Sequence, residues 1–174
     1  MHRFPQATAL ASNEMKNSLS AEDYEQLKKF FVCYVDLFIP PTHRSHEPEH
    51  QPLAFLGNLE KTSLANASKG LQMAVNDVVE DTSDWTPQQV AEADAKFATA
   101  GTFTLTEVRR RYSKKYLQIL KRGVIRSETE YYLVKGIVDG GGIEPGATEG
   151  VQLQAMLNDF EVRFVAASKQ EPST

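Results

Sequence analysis

The sequence predicts an all-α protein, organised as a single-domain bundle of about six helices with short connections. Apolar residues recur every three or four positions along most of the chain, which is the period of an amphipathic helix. Three segments place Ser or Thr three residues before Gln or Glu, the pattern of a helix N-terminus, and they begin at Thr86, Thr104 and Ser127. No two alternating apolar segments flank an Asn-Gly or Asp-Gly turn, so the sequence carries no hairpin signature.

The length of 174 residues is typical of one domain and is sufficient to bury a hydrophobic core. We expect a loose N-terminal arm over residues 1–19, one helical domain over residues 20–168 and a polar C-terminal tail over residues 169–174. Both terminal segments are polar and lack the apolar periodicity of a helix, which sets them apart from the domain.

The first helix is predicted to begin at Ser20 as N-cap, with Glu22 and Asp23 near the positive end of the helix dipole. Its second half, residues 30–39, is apolar on nearly every side, as in a helix at the centre of a core. Aromatic and β-branched residues dominate the same stretch, so a buried strand remains an alternative there. Pro40 and the proline that follows it end either element.

Five further helices are expected after a loop over residues 40–58 that is rich in Pro and His. A proline at the first helical position supports the start of the third helix, and three consecutive glycines end the fifth. The five helices are predicted at about residues 64–78, 86–100, 105–121, 127–139 and 148–167.

Composition excludes several classes of protein. Hydrophobic residues make up 41% of the chain and charged residues 24%, as in soluble globular domains. The formal net charge of −4 argues against a protein that coats nucleic acid, because such proteins are basic overall. Cys33 is the only cysteine, so no disulfide can form within the chain, which suits a reducing compartment.

A cytoplasmic location is expected from the distribution of apolar residues. The N-terminal segment has no continuous apolar stretch of the kind found in signal peptides. The most apolar stretch, residues 30–39, is too short to span a membrane and contains Asp36. We therefore expect no membrane partner.

The segment HEPEH, residues 46–50, matches the HExxH pattern of zinc metalloproteases. That chemistry requires a helix, because two His residues four positions apart then bind one ion while the Glu activates water. Pro48 lies inside the pattern and opposes a helix there, at a cost of about 3 kcal/mol. We therefore expect no zinc protease and no cofactor.

A looser metal site in the same loop remains an alternative. His43, His46 and His50 lie within eight residues of sequence, with Glu47 and Glu49 between them. Imidazole and carboxylate groups suit Zn²⁺ or Ni²⁺, although no ligand here would lie on a rigid element. The opposing interpretation is a solvated loop that connects two helices.

The strongest charge pattern lies between Arg109 and Arg126, where eight of the 19 basic residues occur without an acidic residue. A helical wheel places the apolar residues of this segment on one face and most of the cations on the opposite face. Seven of these cations form what we call the basic ridge: Arg110, Arg111, Lys114, Lys115, Lys121, Arg122 and Arg126.

The basic ridge predicts a surface for an anionic partner: an acidic protein or a second copy of the chain, with nucleic-acid phosphates as the alternative. In the opposing interpretation, the acid-rich residues 77–84 and 92–94 neutralise the ridge within the chain. The helices at 105–121 and 127–139 do not predict a DNA-reading helix-turn-helix, because the second helix is acidic at its start and largely apolar. Any contact with nucleic acid would therefore be independent of base sequence.

Arg109 lies beside the apolar stripe rather than with the other cations, so we expect it to be buried and paired with a carboxylate. Asp36, in the apolar half of the first helix, is the predicted partner in this structural ion pair. The glycines at 140–142 lack the preceding strand and the Lys-Ser/Thr ending of a phosphate loop, so we expect them to end a helix.

No catalytic constellation is evident in the sequence. The leading hypothesis is a non-enzymatic protein–protein interaction or regulatory module, such as a toxin-neutralising immunity protein, that binds an acidic partner or itself through the basic ridge. The first alternative is a helical protein that binds nucleic-acid phosphates through the same ridge. The second alternative is a metal-binding protein that uses the loop from His43 to His50.

Overall fold

The computed structural model of the chain describes residues 19–144 and 146–168. The predicted C-terminal tail lies outside these residues, as does the predicted N-terminal arm apart from Leu19, which packs on the hydrophobic core. Within the described ranges the protein is helical and contains no strand, so the all-α prediction is confirmed.

Eight α-helices form the described part of the chain, rather than about six. Two short 3-10 turns, Pro41–His43 and Pro48–His50, lie between the first two helices. The eight are α1 (Ala21–Phe38), α2 (Pro52–Thr62), α3 (Leu64–Asp81), α4 (Pro87–Thr99), α5 (Leu105–Tyr112), α6 (Lys114–Arg122), α7 (Glu128–Asp139) and α8 (Thr148–Ser168).

Part of the difference in helix number arises at two serines, each of which separates two consecutive helices. Ser63 separates α2 from α3, and Ser113 separates α5 from α6, where a single helix over 105–121 was predicted. Both serines have extended backbone angles, and their hydroxyls accept hydrogen bonds from the amides of Asn66 and Tyr116, at 3.3 and 3.2 Å. Each serine therefore ends one helix and caps the next.

Two other predictions concern the ends of helices. The chain remains helical through Phe38, so the helix interpretation of residues 30–38 is confirmed and the strand alternative is wrong. The predicted loop over 40–58 was too long, because α2 already begins at Pro52. Proline is favoured at the first position of a helix, where the backbone has no amide hydrogen bond to make.

The hydrophobic core consists of two clusters. The first is built by α1 to α5, and its centre holds Phe30 and Phe97, both fully buried with ring centroids 4.7 Å apart. The second is built by α6 to α8 around Tyr116, Ile137 and Leu153, which are also fully buried. Aromatic pairs at such distances add about 0.5–1.5 kcal/mol to the stabilisation from burial alone.

Polar contacts between α5 and the later helices join the two clusters. Glu149, in the first turn of α8, accepts hydrogen bonds from Arg110 of α5 and from the hydroxyl of Tyr116 of α6.

Gly140, after α7, lies so close to Thr106 of α5 that a Cβ atom on residue 140 would lie 2.5 Å from the Thr106 Cγ2. Only glycine permits this approach.

We predict that Ser113→Ala lowers the free energy of unfolding by about 1 kcal/mol, because α6 loses the side chain that caps its N-terminus. Urea denaturation at neutral pH measures the change. Ser83→Ala is the matched control, since Ser83 is exposed and its side chain makes no hydrogen bond within the described ranges. The control is expected to change stability by less than about 0.5 kcal/mol. Equal effects of the two substitutions would contradict a capping role for Ser113.

Candidate functional site

Three of the seven cations in the basic ridge pair with acidic residues of the same chain. Arg110 contacts Glu149 at 2.9 Å, and Arg111 contacts Asp23 at 3.2 Å and Glu107 at 3.4 Å. The third pair joins Arg122 to Glu130. The acidic partners come from α1, α5, α7 and α8, not from the stretches 77–84 and 92–94 that the sequence suggested.

The pair of Arg110 and Glu149 has the strongest mutual effect. The hydrogen bond from Arg110 lowers the pKa of Glu149, and the same bond raises the pKa of Arg110. Burial, followed by the hydrogen bond to Glu149, raises the pKa of Tyr116 well above its usual value. Arg110 is therefore a structural residue and offers little to an external anion.

The other four cations of the ridge lie on or just after α6 and remain available. Lys114, Lys115, Lys121 and Arg126 are exposed, and none forms an ion pair with another described residue. Their spacing places Lys114 and Lys121 on one helical face, since they are seven residues apart.

Two apolar side chains lie among these cations. Leu117, which shares the face of Lys114 and Lys121, is 46% exposed, and Val124 is 40% exposed. The six exposed residues form what we call the α6 surface: Lys114, Lys115, Leu117, Lys121, Val124 and Arg126.

The turn after α6 is held in one conformation. Gly123 adopts a left-handed backbone angle of +73°, which ends the helix without a steric penalty. Arg122 donates two hydrogen bonds to the carbonyl of Val124, at 3.0 and 2.8 Å, and also contacts Glu130. Glu130 in turn accepts a hydrogen bond from the backbone amide of Arg126 at 2.8 Å. These bonds fix the backbone that carries Val124 and Arg126.

The predicted ion pair between Asp36 and Arg109 is wrong. Asp36 is largely exposed and contacts Arg44 at 3.1 Å, whereas Arg109 is buried, with 6% of its surface exposed. The Arg109 guanidinium donates to the backbone carbonyl and the hydroxyl of Thr82, and Asp94 is the carboxylate whose charge favours it. The prediction that Arg109 is buried was right, but its partner is the C-terminus of α3.

The three histidines of the loop are exposed and do not share a helix. His50 contacts Glu47 at 2.6 Å across the second 3-10 turn. Glu47, Glu49 and His50 can bring one ligand atom each within 4.8 Å of one another, and all three are exposed. His43 and His46 do not belong to this group, so the proposed three-histidine set is not brought together.

Cys33 is only partly buried, on α1. Burial raises the pKa of its thiol, and the nearby Asp36 carboxylate raises it further. Both effects keep the sulfur protonated at neutral pH, which disfavours reactivity.

Comparison with known proteins adds no functional assignment. No protein-family model, no curated protein and no solved structure matches the chain. None of the helices in the described ranges is long and apolar enough to cross a membrane.

We predict that Glu149→Gln lowers the free energy of unfolding at pH 7 by about 1–3 kcal/mol, because three hydrogen bonds lose their charged acceptor. The pKa of Glu149 is lowered by folding, so its contribution is present above the pKa of the unfolded chain, near 4.5. It is lost as the pH falls through the folded pKa. The difference between wild type and variant should therefore shrink when urea denaturation is repeated at progressively lower pH.

Glu144→Gln is the control for this experiment, because Glu144 is exposed and its side chain makes no hydrogen bond to a described residue. A difference between wild type and Glu149→Gln that stays constant through the acid range would show that the charge of Glu149 is unimportant.

Proposed function

We propose that the protein is a non-enzymatic interaction module that binds an acidic protein through the α6 surface. The observation that carries this proposal is the division of the basic ridge: the cations of α5 are paired internally, whereas most of those on α6 are exposed without a partner among the described residues. Exposed apolar groups with cations around them match the arrangement of a protein interface, in which a polar rim surrounds an apolar centre.

The two kinds of side chain would contribute differently to binding. Exposed ion pairs are worth about 0–1 kcal/mol each, so the lysines serve mainly to orient an acidic partner and accelerate its approach. Leu117 and Val124 supply apolar area, which a partner removes from water at a gain of about 25 cal/mol per Å². Affinity would therefore depend on Leu117, and the choice of an acidic partner on the lysines around it.

The ionisable groups with the largest shifts support a structural rather than a catalytic role. Tyr24, Tyr116 and Tyr131 each donate a hydrogen bond to a carboxylate of a neighbouring helix, at 2.8, 2.6 and 2.5 Å. The hydrogen bond to its glutamate and partial burial raise the pKa of Tyr131 to about 12. These phenols stay protonated and hold helices together, so their shifted pKa values do not mark a general base.

Nucleic acid is the second candidate partner, and it would use the same cations. A protein that contacts phosphates through four cations loses affinity with a slope of about −3.6 in a plot of log K against log salt concentration. The acidic residues at the start of α7 and the net charge of −4 oppose such binding. A partner that nuclease treatment removes would identify this alternative.

We predict that the double substitution Lys114→Glu and Lys121→Glu reduces capture of the partner by about tenfold or more, through loss of attraction and gain of repulsion. The experiment uses the tagged full-length chain, chemical crosslinking at low salt in the cells that make it, and quantitative mass spectrometry after nuclease treatment. Leu117→Asn should also reduce capture, but with a weaker dependence on salt.

The matched control is Lys61→Glu with Lys69→Glu, which makes the same change in net charge at two exposed lysines of α2 and α3. The control should retain the same acidic protein as the wild type. If both double variants lose the same amount of captured partner, the effect is one of general charge. If both capture as much partner as the wild type, the α6 surface is not the binding interface. Sedimentation of the purified chain then shows whether the partner is a second copy.

A further inference from the structure

A cleft of about 350 Å³ lies between α1, α3 and the loop that precedes α2. Its apolar wall is formed by Phe31 and Val35 of α1 and by Ala74 and Val78 of α3. The volume falls within the range of small-molecule sites, which are mostly apolar and carry a few polar groups. We call this feature the α1–α3 cleft, and it shares no residue with the α6 surface.

Tyr34 gives the cleft an unpartnered polar group. Its side chain lines the cleft and is only 6% exposed, yet its hydroxyl makes no hydrogen bond with any residue in the described ranges. The hydroxyl oxygen itself reaches the surface of the cleft, because Nε of Arg109 is the only fully buried side-chain nitrogen or oxygen in the described ranges that lacks a hydrogen-bond partner. The Tyr34 hydroxyl is therefore free to bond a ligand in the cleft.

Two carboxylates stand at the same cleft. Asp77 and Asp81 are one helical turn apart on α3, both are exposed, and neither forms an ion pair with a described residue. Burial, and then the charge of Asp81, raises the pKa of Tyr34. Tyr34, Asp77 and Asp81 all line the cleft, so two carboxylates and a hydroxyl without a partner among the described residues border the same space.

The positive groups at the cleft do not neutralise these carboxylates. Arg44 donates to the carbonyls of Val35, Asp36 and Ile39, at 2.7, 3.1 and 2.9 Å, and so caps the C-terminus of α1. Its remaining contact is with the Asp36 carboxylate, at 3.1 Å. The positive charge of Arg44 is therefore held by the negative C-terminal end of α1 and by the Asp36 carboxylate, which does not line the cleft.

The remaining titratable groups at the cleft are two histidines of the loop. His50 is engaged by Glu47 at 2.6 Å, and His43 is exposed at the rim. The cleft therefore combines an apolar wall with two carboxylates that form no ion pair with a described residue.

We infer that the α1–α3 cleft binds a small organic cation, a primary ammonium attached to an apolar body. An ammonium has three N–H donors, which match the carboxylates of Asp77 and Asp81 and the hydroxyl oxygen of Tyr34. The apolar body lies against Phe31, Val35 and Val78. A neutral ligand of the same shape would make only the apolar contacts and would lack the charge that the two carboxylates attract.

Benzylamine is the probe that tests this site, with benzyl alcohol as the neutral compound of the same shape. Two-dimensional NMR titrations of the full-length, isotope-labelled chain report both the affinity and the residues affected. Benzylamine should bind saturably, with shifts centred on Ala74, Val78 and Tyr34, and at least about tenfold more tightly than benzyl alcohol.

Asp81→Asn should weaken benzylamine binding by about tenfold, because it removes one charged acceptor. Tyr34→Phe should weaken binding by a few fold and leave the urea midpoint of the unliganded chain unchanged, since the hydroxyl has no partner within the described ranges to lose. Asp84→Asn is the matched control, because Asp84 is an exposed aspartate close in sequence that does not line the cleft. It should bind benzylamine as the wild type does.

Two outcomes would overturn the inference. Equal affinity for benzylamine and benzyl alcohol, or full binding by Asp81→Asn, would mean that the carboxylates do not recognise the ligand. Displacement of benzylamine by millimolar MgCl₂ or ZnCl₂, with shifts confined to the two aspartates, would mean that the acidic pair holds an inorganic ion instead. Both results are independent of the α6 surface and of the partner proposed for it.

Discussion

The burial of Arg109 determines how the basic segment of this chain is arranged. Its guanidinium donates to the carbonyl and hydroxyl of Thr82, at the C-terminus of α3, where the helix dipole is negative. A buried charge is costly, and here the Nε atom has no hydrogen-bond partner in the described ranges. Once Arg109 points inward, Arg110 and Arg111 must lie on either side of it. They meet Glu149 of α8 and Asp23 of α1 respectively.

The break at Ser113 then separates structural cations from surface cations. On the N-terminal side, α5 is bound to α1, α3 and α8 through three successive arginines. On the C-terminal side, α6 buries Tyr116 and Ile119 in the second cluster and exposes its lysines. A continuous helix would have kept all of these cations in one regular series. The capping serine instead allows two short helices to present their charges independently.

The sequence predicted the features that depend on local pattern and missed those that depend on distant partners. The caps at Thr86, Thr104 and Ser127 follow from short-range hydrogen bonding. Each hydroxyl accepts a hydrogen bond from the backbone amide three residues later, as predicted. The break at Ser113 was missed because the apolar period continues across it, and α2 was missed because most of its residues were assigned to the predicted loop over 40–58. The pairing of Arg110 with Glu149 spans 39 residues, and no local rule selects that glutamate.

The acceptor of Arg109 was missed for a different reason. A search for carboxylates cannot find a backbone carbonyl, which becomes an acceptor only because α3 ends at Thr82.

The α1–α3 cleft could not be predicted from the sequence either. Asp77 and Asp81 appeared there as a possible counter-charge for the basic ridge, whereas in the fold they face Tyr34 and the loop before α2.

Within the described residues, the cations of the α6 surface and the carboxylates of Asp77 and Asp81 on α3 form no ion pairs, which bears on the nature of the proposed partner. Contact between the α6 surface of one copy and the α3 acids of another joins two different surfaces. Such a contact closes into a ring only at particular angles and otherwise repeats from copy to copy into an open assembly. The two surfaces belong to different hydrophobic clusters, so a closed two-fold dimer would need one interface that spans both. A distinct acidic protein avoids this constraint, because it occupies the α6 surface without offering a second one.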